Sequence, residues 1–456
     1  MTVNIQKFYK ACNPSKTLTV EQPEDRNYYI DFSSVRGGKI IEELKDNITF
    51  FSMDEPTCEL FTGHIGCGKS TELLRLKAEL EEADFHVVYF ESSQDLEMGD
   101  VDVGDILLAI ARRVSESLDK IKLGEPKGFK KLLAGAAKLL LTEIELSGRV
   151  GVPGIGEVGV DTEGAVSLAV GIGEITAKAK DSPDLRSRLR QYLEPQTNRL
   201  LEVINQELLE PAIANLQQVG KQGLVVIVDN LDRVDASQKP WGRYQPEYLF
   251  VDRGAQLKGL HCHVVYTMPL ALRFSNDYSA LTQRFVVDPK VLPMVPVRLR
   301  DGTPHEQGMA LLREMVMARA FPDLEPGSRL ARVKEVFDSP DTLDRLCYAS
   351  GGHVRNLLRF LSTWIKKERR LPLSQGMLET VIRDRRNELT LPISDDEWEL
   401  LCHVAKHKKV VGDEGYQVLI RSMFVYEYRD QDGSWFDVNP ILAEAEGFKS
   451  CLAYTA

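Results

Sequence analysis

The sequence predicts an α/β fold: a parallel-sheet core with inserted helices and a hairpin, followed by a helical lid and a small C-terminal winged-helix-like domain. Two observations carry this prediction. Short apolar runs alternate with amphipathic helical stretches up to about residue 292, a pattern typical of βαβ units and a parallel sheet. From about residue 293 the strand pattern stops, and helical periodicity continues to about residue 389.

Four apolar runs predict the strands of the core. The first covers residues 58–62 and leads into a glycine-rich loop, after which residues 69–82 have helical periodicity. The second strand is expected at residues 86–90. The run at residues 224–228 is wholly apolar, as in a strand buried on both faces of a parallel sheet, and residues 263–268 indicate another core strand.

Changes in pattern set the expected domain boundaries. Residues 148–177 alternate valine with glycine and predict a flexible β-hairpin, which either contacts a partner or forms an exposed loop. A second hairpin pattern at 424–438 and a helix at 395–406 indicate the winged-helix-like module. The expected units are an N-terminal arm at 1–27, a core at 28–292 with an insert at about 100–217, a lid at 293–390 and a C-terminal domain at 391–456.

Composition narrows the class of protein. The 456 residues, 43 % of them hydrophobic, suffice for several cores that need no disulfides. Seven cysteines without a CxxC pair suggest reduced thiols. No apolar leader or spanning segment is evident, so we expect a cytoplasmic protein with no membrane partner. The net charge of −11 argues against broad, non-specific nucleic-acid binding, which needs a basic surface.

The strongest motif is the glycine-rich loop that follows the first predicted strand. Its glycines let successive backbone N–H groups face inward as an anion nest, and the helix that follows adds its positive end. Lys69 is expected to reach the β- and γ-phosphates of ATP or GTP, and Ser70 to place its hydroxyl on Mg²⁺. The expected nucleotide-binding residues are Gly63, His64, Ile65, Gly66, Cys67, Gly68, Lys69, Ser70 and Thr71.

Asp229 ends the wholly apolar run and fits the second nucleotide motif, in which a carboxylate at a strand end holds Mg²⁺. The next residue is Asn230, which is not an acid. Asp232 is therefore the candidate for positioning the attacking water. Its alternative role is a helix N-cap or a salt bridge with Arg233.

Lys69 and Asp229, together with three further features, resemble the AAA+ ATPases and their STAND relatives, particularly the origin-recognition-like branch. The resemblance implies that Thr267 senses the γ-phosphate and that Arg284 reaches into the site of a neighbouring subunit. It also implies that Arg355, in a Gly-Gly-His-Val-Arg segment, contacts the γ-phosphate from the lid. The ordinary alternatives are a satisfied strand end for Thr267, a helix cap for Arg284 and a surface ion pair for Arg355.

The resemblance places the adenine pocket near Val35, Arg36 and Gly37. It also favours ATP over GTP, since no segment resembles the guanine-binding Asn-Lys-x-Asp motif. One departure matters: Asn230 stands where the family carries the second acid of an Asp-Glu pair. We therefore expect an ATPase that is slow or stimulated by a partner.

These features predict an ATP-binding and hydrolysing molecular switch that couples nucleotide state to a protein partner or to assembly as a homo-oligomer. A role in bacterial signalling or defence would suit a STAND-type switch and rests on the resemblance alone. The alternative is a DNA-binding AAA+ ATPase resembling origin-recognition or transposition-helper proteins. A small-molecule kinase is disfavoured, because such enzymes need no lid arginine followed by a winged-helix-like end.

The distribution of charge helps to choose between a protein-binding switch and a DNA-binding ATPase. Residues 391–456 carry six Lys or Arg against twelve Asp or Glu, which suits a protein contact better than DNA. Residues 352–390 carry nine Lys or Arg against four Asp or Glu. That basic run is either a phosphate-binding face or a solvated helix face. Nucleic acid is accordingly the less favoured partner in this interpretation.

Overall fold

The structure is a computed structural model of the chain, and it describes residues 3–118, 126–146, 165–412 and 414–454. Within these ranges, no helix combines the length and the apolar character that crossing a membrane requires. Helices and one parallel sheet account for most of the described structure.

The core is a five-stranded parallel sheet in the order β2-β3-β4-β1-β5. Its strands are β1 (Cys58–Gly63), β2 (His86–Glu91), β3 (Leu224–Asp229), β4 (His263–Thr267) and β5 (Lys290–Leu292). The first four match the predicted apolar runs, whereas β5 is too short to carry a periodic pattern. Because β1 and β3 flank β4, the segments that follow these strands meet at the carboxyl edge of the sheet.

Helices cover both faces of the sheet, which explains why β3 is apolar along its whole length. Val225 and Ile227 pack on one face with the helix Lys69–Glu82. Val226 and Val228 pack on the other face, against the inserted helices. The α-helices of five or more residues in the core and its insert are Ile40–Asp46, Lys69–Glu82, Val103–Ser117, Lys127–Leu146, Ala165–Asp181, Pro183–Leu193, Thr197–Ile204, Glu210–Gln218, Gly254–Lys258 and Tyr278–Phe285.

The hairpin predicted at residues 148–177 is wrong in its second half, because Ala165–Asp181 is an α-helix. Leu168, Ile172, Ile175 and Ala179 are buried in the insert, at the three- and four-residue spacing of a helix face. Small residues between them obscure this period and mimic strand alternation. Residues 147–164, with the first half of the predicted hairpin, lie outside the described residues.

The lid is a helical layer with its own apolar core around Trp364. Its main helices are Glu306–Ala320, Pro340–Ser350, Val354–Glu368 and Gln375–Thr390. The N-terminal segment is not the loose arm that its polar composition indicates. Its helix Ile5–Ala11, capped by the Asn4 side chain, buries Phe8 in the lid core.

The C-terminal segment combines helices with an antiparallel hairpin, and the hairpin lies where the sequence predicts it. Its strands are β6 (Val425–Asp430) and β7 (Gly433–Val438). Its helices are Asp395–His407, Glu414–Arg421 and Glu446–Tyr454. One face of the hairpin completes a local core, whereas Tyr426, Tyr428 and Trp435 join the apolar cluster that contains the phosphate-loop helix. This packing brings the hairpin next to the glycine-rich loop.

Candidate nucleotide-binding site

The glycine-rich loop joins β1 to the helix Lys69–Glu82, as expected from the motif. Gly68 has φ of +111° and precedes the first helical residue. Gly66 has φ of +87°, and a Cβ there would lie 2.8 Å from the His353 ring and 2.9 Å from Cβ of Arg355. Glycine is therefore required at position 66 both by backbone geometry and by the approach of the lid.

Lys69 is buried and its ammonium group contacts both the loop and an acid. It donates to the carbonyl oxygens of Gly63 (2.8 Å) and His64 (2.9 Å) and lies 3.0 Å from Asp232 Oδ2. Burial disfavours the charged form, but the nearby Cys67 and the carboxylates of Asp232 and Asp229 outweigh it and raise the pKa of Lys69. Asp232 thus forms an ion pair, although with Lys69 rather than with Arg233.

Asp229 lies buried at the end of β3 beside Ser70 and Tyr89. Its Oδ2 accepts the Tyr89 hydroxyl at 2.8 Å, and its Oδ1 accepts the N–H of Asn230 at 2.6 Å. Burial raises the pKa of Asp229, and a hydrogen bond from the Ser70 hydroxyl opposes the rise. A hydroxyl and a carboxylate in mutual contact at the loop are a donor set that fits Mg²⁺. Motif spacing gives no indication of Tyr89, because strand pairing alone brings β2 beside β3.

Thr267 ends β4 and is fully buried. Its hydroxyl accepts the N–H of Leu231 at 2.9 Å and lies 3.3 Å from the carbonyl oxygen of Val228. Thr267 therefore fixes the turn after β3. It is absent from the described residues that line the cavity beside the glycine-rich loop, which is described below. This is the satisfied strand end that the sequence left open as an alternative.

The lid contacts the outer side of the glycine loop through the Gly-Gly-His-Val-Arg segment. His353 accepts the N–H of Asn356 at Nδ1, so its Nε2 carries the proton and donates to the carbonyl oxygen of Ile65 at 2.9 Å. The backbone N–H of Arg355 donates to the carbonyl oxygen of Gly66 at 3.2 Å. Burial lowers the pKa of His353 to about 4, so the ring is neutral near pH 7.

The C-terminal hairpin contacts the same loop. The N–H of Glu427 donates to His64 Nε2 at 2.9 Å. The Tyr426 ring lies 5.8 Å from both the His64 and the His353 rings, centroid to centroid, and its hydroxyl accepts a hydrogen bond from Asn356 at 3.0 Å. We name His64, His353 and Tyr426 the ring clasp. It joins the phosphate loop, the lid and the hairpin, and sequence motifs give no indication of it because its members lie far apart in the sequence.

The phosphate loop borders a cavity of about 70 Å³. Arg355 reaches this cavity from the lid, and burial together with the charge of Arg233 lowers its pKa. The N-terminal segment also contributes to the wall, with Lys16 paired to Asp25. The residues that line the cavity are Pro14, Lys16, Thr17, Ile65, Gly66, Gly68, Lys69, Ser70, Thr71, Asp229, Asn230, Asp232, Arg233, Val354, Arg355 and Leu358.

The described residues that line this cavity do not include the predicted site residues Val35, Arg36, Gly37 and Arg284. Arg36 is buried, and its guanidinium donates to the carbonyl oxygen of Cys67 at 2.9 Å, so it supports the loop from behind. Val35 is buried in the lid core, and Gly37 lies against the Arg429 side chain. Arg284 is exposed on the helix Tyr278–Phe285, outside the cavity wall, and has no side-chain partner within the described ranges.

No protein-family model matches the chain, and no curated protein matches it. Three solved structures cover almost all of it. The Walker-type ATPase of Pyrococcus abyssi is 10 % identical, with a TM-score of 0.41 and coverage of 95 % of this chain and 99 % of that one. The ADP form of the Aeropyrum pernix ORC2 protein is 12 % identical (TM-score 0.40; 94 % and 98 % covered), and Cdc6p from Pyrobaculum aerophilum is 12 % identical (TM-score 0.37; 100 % and 99 %). Values this low assign neither a family nor a function.

Proposed function

We propose that this chain binds ATP with Mg²⁺, hydrolyses it slowly, and uses the nucleotide to set the arrangement of its lid and C-terminal hairpin. The observation that carries the proposal is the set of contacts on three consecutive loop residues. His64 is held by Glu427 of the hairpin, whereas Ile65 and Gly66 are held by the lid. A change in this loop therefore acts on both neighbouring units at once.

Lys69 is the residue whose partners must change when ATP binds. Its ammonium group now bridges the carbonyl oxygens of Gly63 and His64, whereas bound nucleotide would draw it to the β- and γ-phosphates. His64 bonds Lys69 through its carbonyl and Glu427 through its ring. The exchange of partners at Lys69 thus reaches the residue that the hairpin holds.

Ser70 and Asp229 would hold Mg²⁺, which neutralises phosphate charge when bound. Asp232 has one carboxylate oxygen, Oδ1, without a hydrogen-bond partner among the described residues. We assign this oxygen to orienting the attacking water, while Oδ2 keeps its ion pair with Lys69. Asn230 cannot supply a second carboxylate beside Asp229, which supports slow turnover.

Arg355 would contact the terminal phosphate from the lid, and Val35, Arg36 and Gly37 would border the adenine. We assign the acidic C-terminal module, as a winged-helix-like unit, to protein contact in the cytoplasm. Exposed Arg284 is the candidate for contact with a second copy. We also propose that the chain acts as a STAND-type switch in bacterial signalling or defence.

Replacement of Lys69 tests the assignment of the site. We expect Lys69→Ala to lower ATP turnover by about 100-fold or more, because the positive charge that Lys69 places beside the β- and γ-phosphates is lost. Lys77→Ala, a half-buried lysine of the same helix that is paired with Glu81, is the matched control. ATP turnover and binding of a fluorescent ATP analogue would be measured.

Lys69→Ala leaves Asp232 buried without its cation, so a loss of turnover in this variant could also reflect unfolding. Ser70→Ala therefore serves as a second test of the site. That variant keeps the ion pair, and we expect its turnover to need far more Mg²⁺. Normal turnover in folded Lys69→Ala, or an unchanged Mg²⁺ requirement in Ser70→Ala, would overturn the assignment.

A DNA-binding ATPase is the second candidate, and the basic face of the lid favours it. Arg359 and Arg383 are exposed, and neither has an acidic ion-pair partner within the described ranges. Burial and the like charge of Arg385 lower the pKa of Arg359, so an anion at this face would relieve repulsion. On this ground nucleic acid ranks beside a protein partner, not below it as composition suggested.

Fluorescence anisotropy of labelled duplex DNA across a salt series separates the two candidates. A DNA-binding lid predicts affinity that falls steeply with salt and drops in Arg359→Glu, because phosphate contacts release counterions. Arg199→Glu, at an exposed position of the insert helix Thr197–Ile204, is the control. Weak binding that responds equally to both replacements would leave the protein switch as the function.

A further inference from the structure

We propose that Arg233 supplies, within the same chain, the positive charge that stabilises the terminal phosphate during hydrolysis. This inference deepens the proposed function and rests on it. Arg233 ends the short helix Leu231–Arg233, which directly follows β3 and Asn230. It lines the 70 Å³ phosphate cavity together with Lys69, Ser70 and Arg355.

The position of Arg233 along the bound nucleotide follows from the contacts of Asp232, the residue before it. Asp232 lies 3.0 Å from the Lys69 ammonium group, which serves the β- and γ-phosphates. The turn that carries Asp232 and Arg233 therefore faces the terminal end of the triphosphate. Arg233 and Asp232 also line an adjoining cavity of about 450 Å³, which opens on that side of the loop.

The guanidinium of Arg233 is available for such a contact. The adjacent carboxylate of Asp232 is engaged by Lys69, so the pairing expected from the sequence does not form. Arg233 is exposed, and within the described part of the chain its side chain has neither a hydrogen bond nor an ion pair. An arginine at a cavity wall without an acidic partner is suited to an anionic ligand, because its planar fork matches phosphate oxygens.

Charge around the cavity points the same way. Arg233 and Arg355 both line it, and the charge of Arg233 contributes to the lowered pKa of Arg355. Two like charges on one cavity repel each other until an anion lies between them. The acids in the wall are already engaged, Asp232 by Lys69 and Asp229 by Ser70 and Tyr89. A terminal phosphate would supply the missing negative charge.

The reaction is hydrolysis of the terminal phosphoanhydride. The water oxygen bonds to the γ-phosphorus while the bond to the β,γ-bridging oxygen breaks, and ADP leaves with that electron pair. The water gives up a proton, which passes to bulk solvent, and inorganic phosphate is released. Negative charge rests on the equatorial oxygens during transfer, where Arg233 stabilises it without exchanging a proton.

Binding of ADP with and without aluminium fluoride tests this role, since the metal fluoride mimics the phosphoryl group in transfer. We expect Arg233→Ala to keep its affinity for ADP within a few-fold and to lose about 100-fold in affinity for the ADP–aluminium fluoride complex. Turnover should fall by a similar factor while KM changes little. Arg233→Lys should recover part of the loss, and Arg199→Ala, an exposed arginine of the insert, should match the wild type.

A mixing experiment tests the claim that the contact forms within one chain. If Arg233 served a neighbouring subunit, Lys69→Ala chains would restore turnover to Arg233→Ala chains, and we expect no restoration. Restored turnover, or equal loss of ADP and ADP–aluminium fluoride binding, would overturn the inference, as would wild-type turnover in Arg233→Ala. Absence of ATP binding in the wild-type chain would instead overturn the proposed function as well.

Discussion

His353 is, together with Arg355, one of the two residues through which the lid holds the glycine loop. Burial keeps its ring neutral, with Nδ1 as acceptor and Nε2–H as donor to Ile65. A protonated ring would lose the Nδ1 acceptor and place an unpaired charge near Lys69. The position therefore favours a neutral hydrogen-bonding side chain of this shape.

The lowered pKa of His353 predicts a loss of stability in acid. The unfolded chain takes up this proton near pH 6.5, whereas the folded chain resists it until about pH 4. Stability is therefore complete above about pH 6.5 and falls as the pH approaches 4, by about 3 kcal/mol from this residue. Urea unfolding at several pH values should show a shallower loss in His353→Gln, which keeps a donor and does not titrate. Equal slopes in both proteins would contradict this reading of the ring.

At the same scale, the sequence identifies the residues of the glycine loop and Asp229, because fixed spacing and strand context define them. It does not identify the partners of Lys69 or the burial of Thr267 against Leu231 and Val228. Those contacts depend on how the turn after β3 folds back, which local pattern does not determine. Arg233 is visible in the sequence, but only the engagement of Asp232 by Lys69 leaves it free for a ligand.

Among the elements, the helix Ala165–Asp181 departs most from its sequence-based prediction. Its valines and isoleucines suit a strand and its glycines disfavour a helix, yet tertiary packing decides in favour of the helix. The strands of the sheet are predicted well, because burial on both faces produces continuous apolar runs. The edge strand β5, with three residues, carries too little pattern to be predicted.

A pair of replacements distinguishes the helix from a strand at this element. Val170 and Ile172 would share a face of a strand, whereas in the helix Val170 is 56 % exposed and Ile172 is fully buried. We expect Ile172→Ala to lower the free energy of unfolding by about 2–5 kcal/mol and Val170→Ala to change it by less than about 0.5 kcal/mol. Urea denaturation measures both, and similar costs at the two positions would speak for a strand.

For the whole molecule, the parallel sheet and the helical domains follow from the sequence, whereas the docking of the C-terminal hairpin on the phosphate loop does not. Gly351 illustrates why: a Cβ there would lie 2.7 Å from a ring carbon of Tyr426, a hairpin residue far away in the sequence. Such a glycine looks like a turn residue until the approach of the hairpin is known. Long-range contacts of this kind define how the units communicate.

The ring clasp predicts that nucleotide binding changes the protection of the hairpin. Amide hydrogen exchange of residues 425–438 should differ between the free protein and its ATP complex. The reason is that ATP changes the contacts of the loop, and His64 passes this change to Glu427 through their hydrogen bond. Tyr426→Ala removes the ring that contacts both histidines and leaves only the His64–Glu427 hydrogen bond, so the ATP-dependent difference in hairpin exchange should become smaller, while ATP affinity stays within a few-fold.

Tyr426→Phe is the matched control for this prediction. It keeps the ring contacts with His64 and His353 and removes only the hydroxyl that bonds Asn356 and Asn439. We expect it to retain the ATP-dependent difference in exchange, with a modest loss of stability of about 1 kcal/mol from the two hydrogen bonds. If the wild-type hairpin exchanged identically in both states, the loop would bind nucleotide without moving its neighbours. The C-terminal module would then act as a fixed wall of the site, and regulation would have to come through the lid.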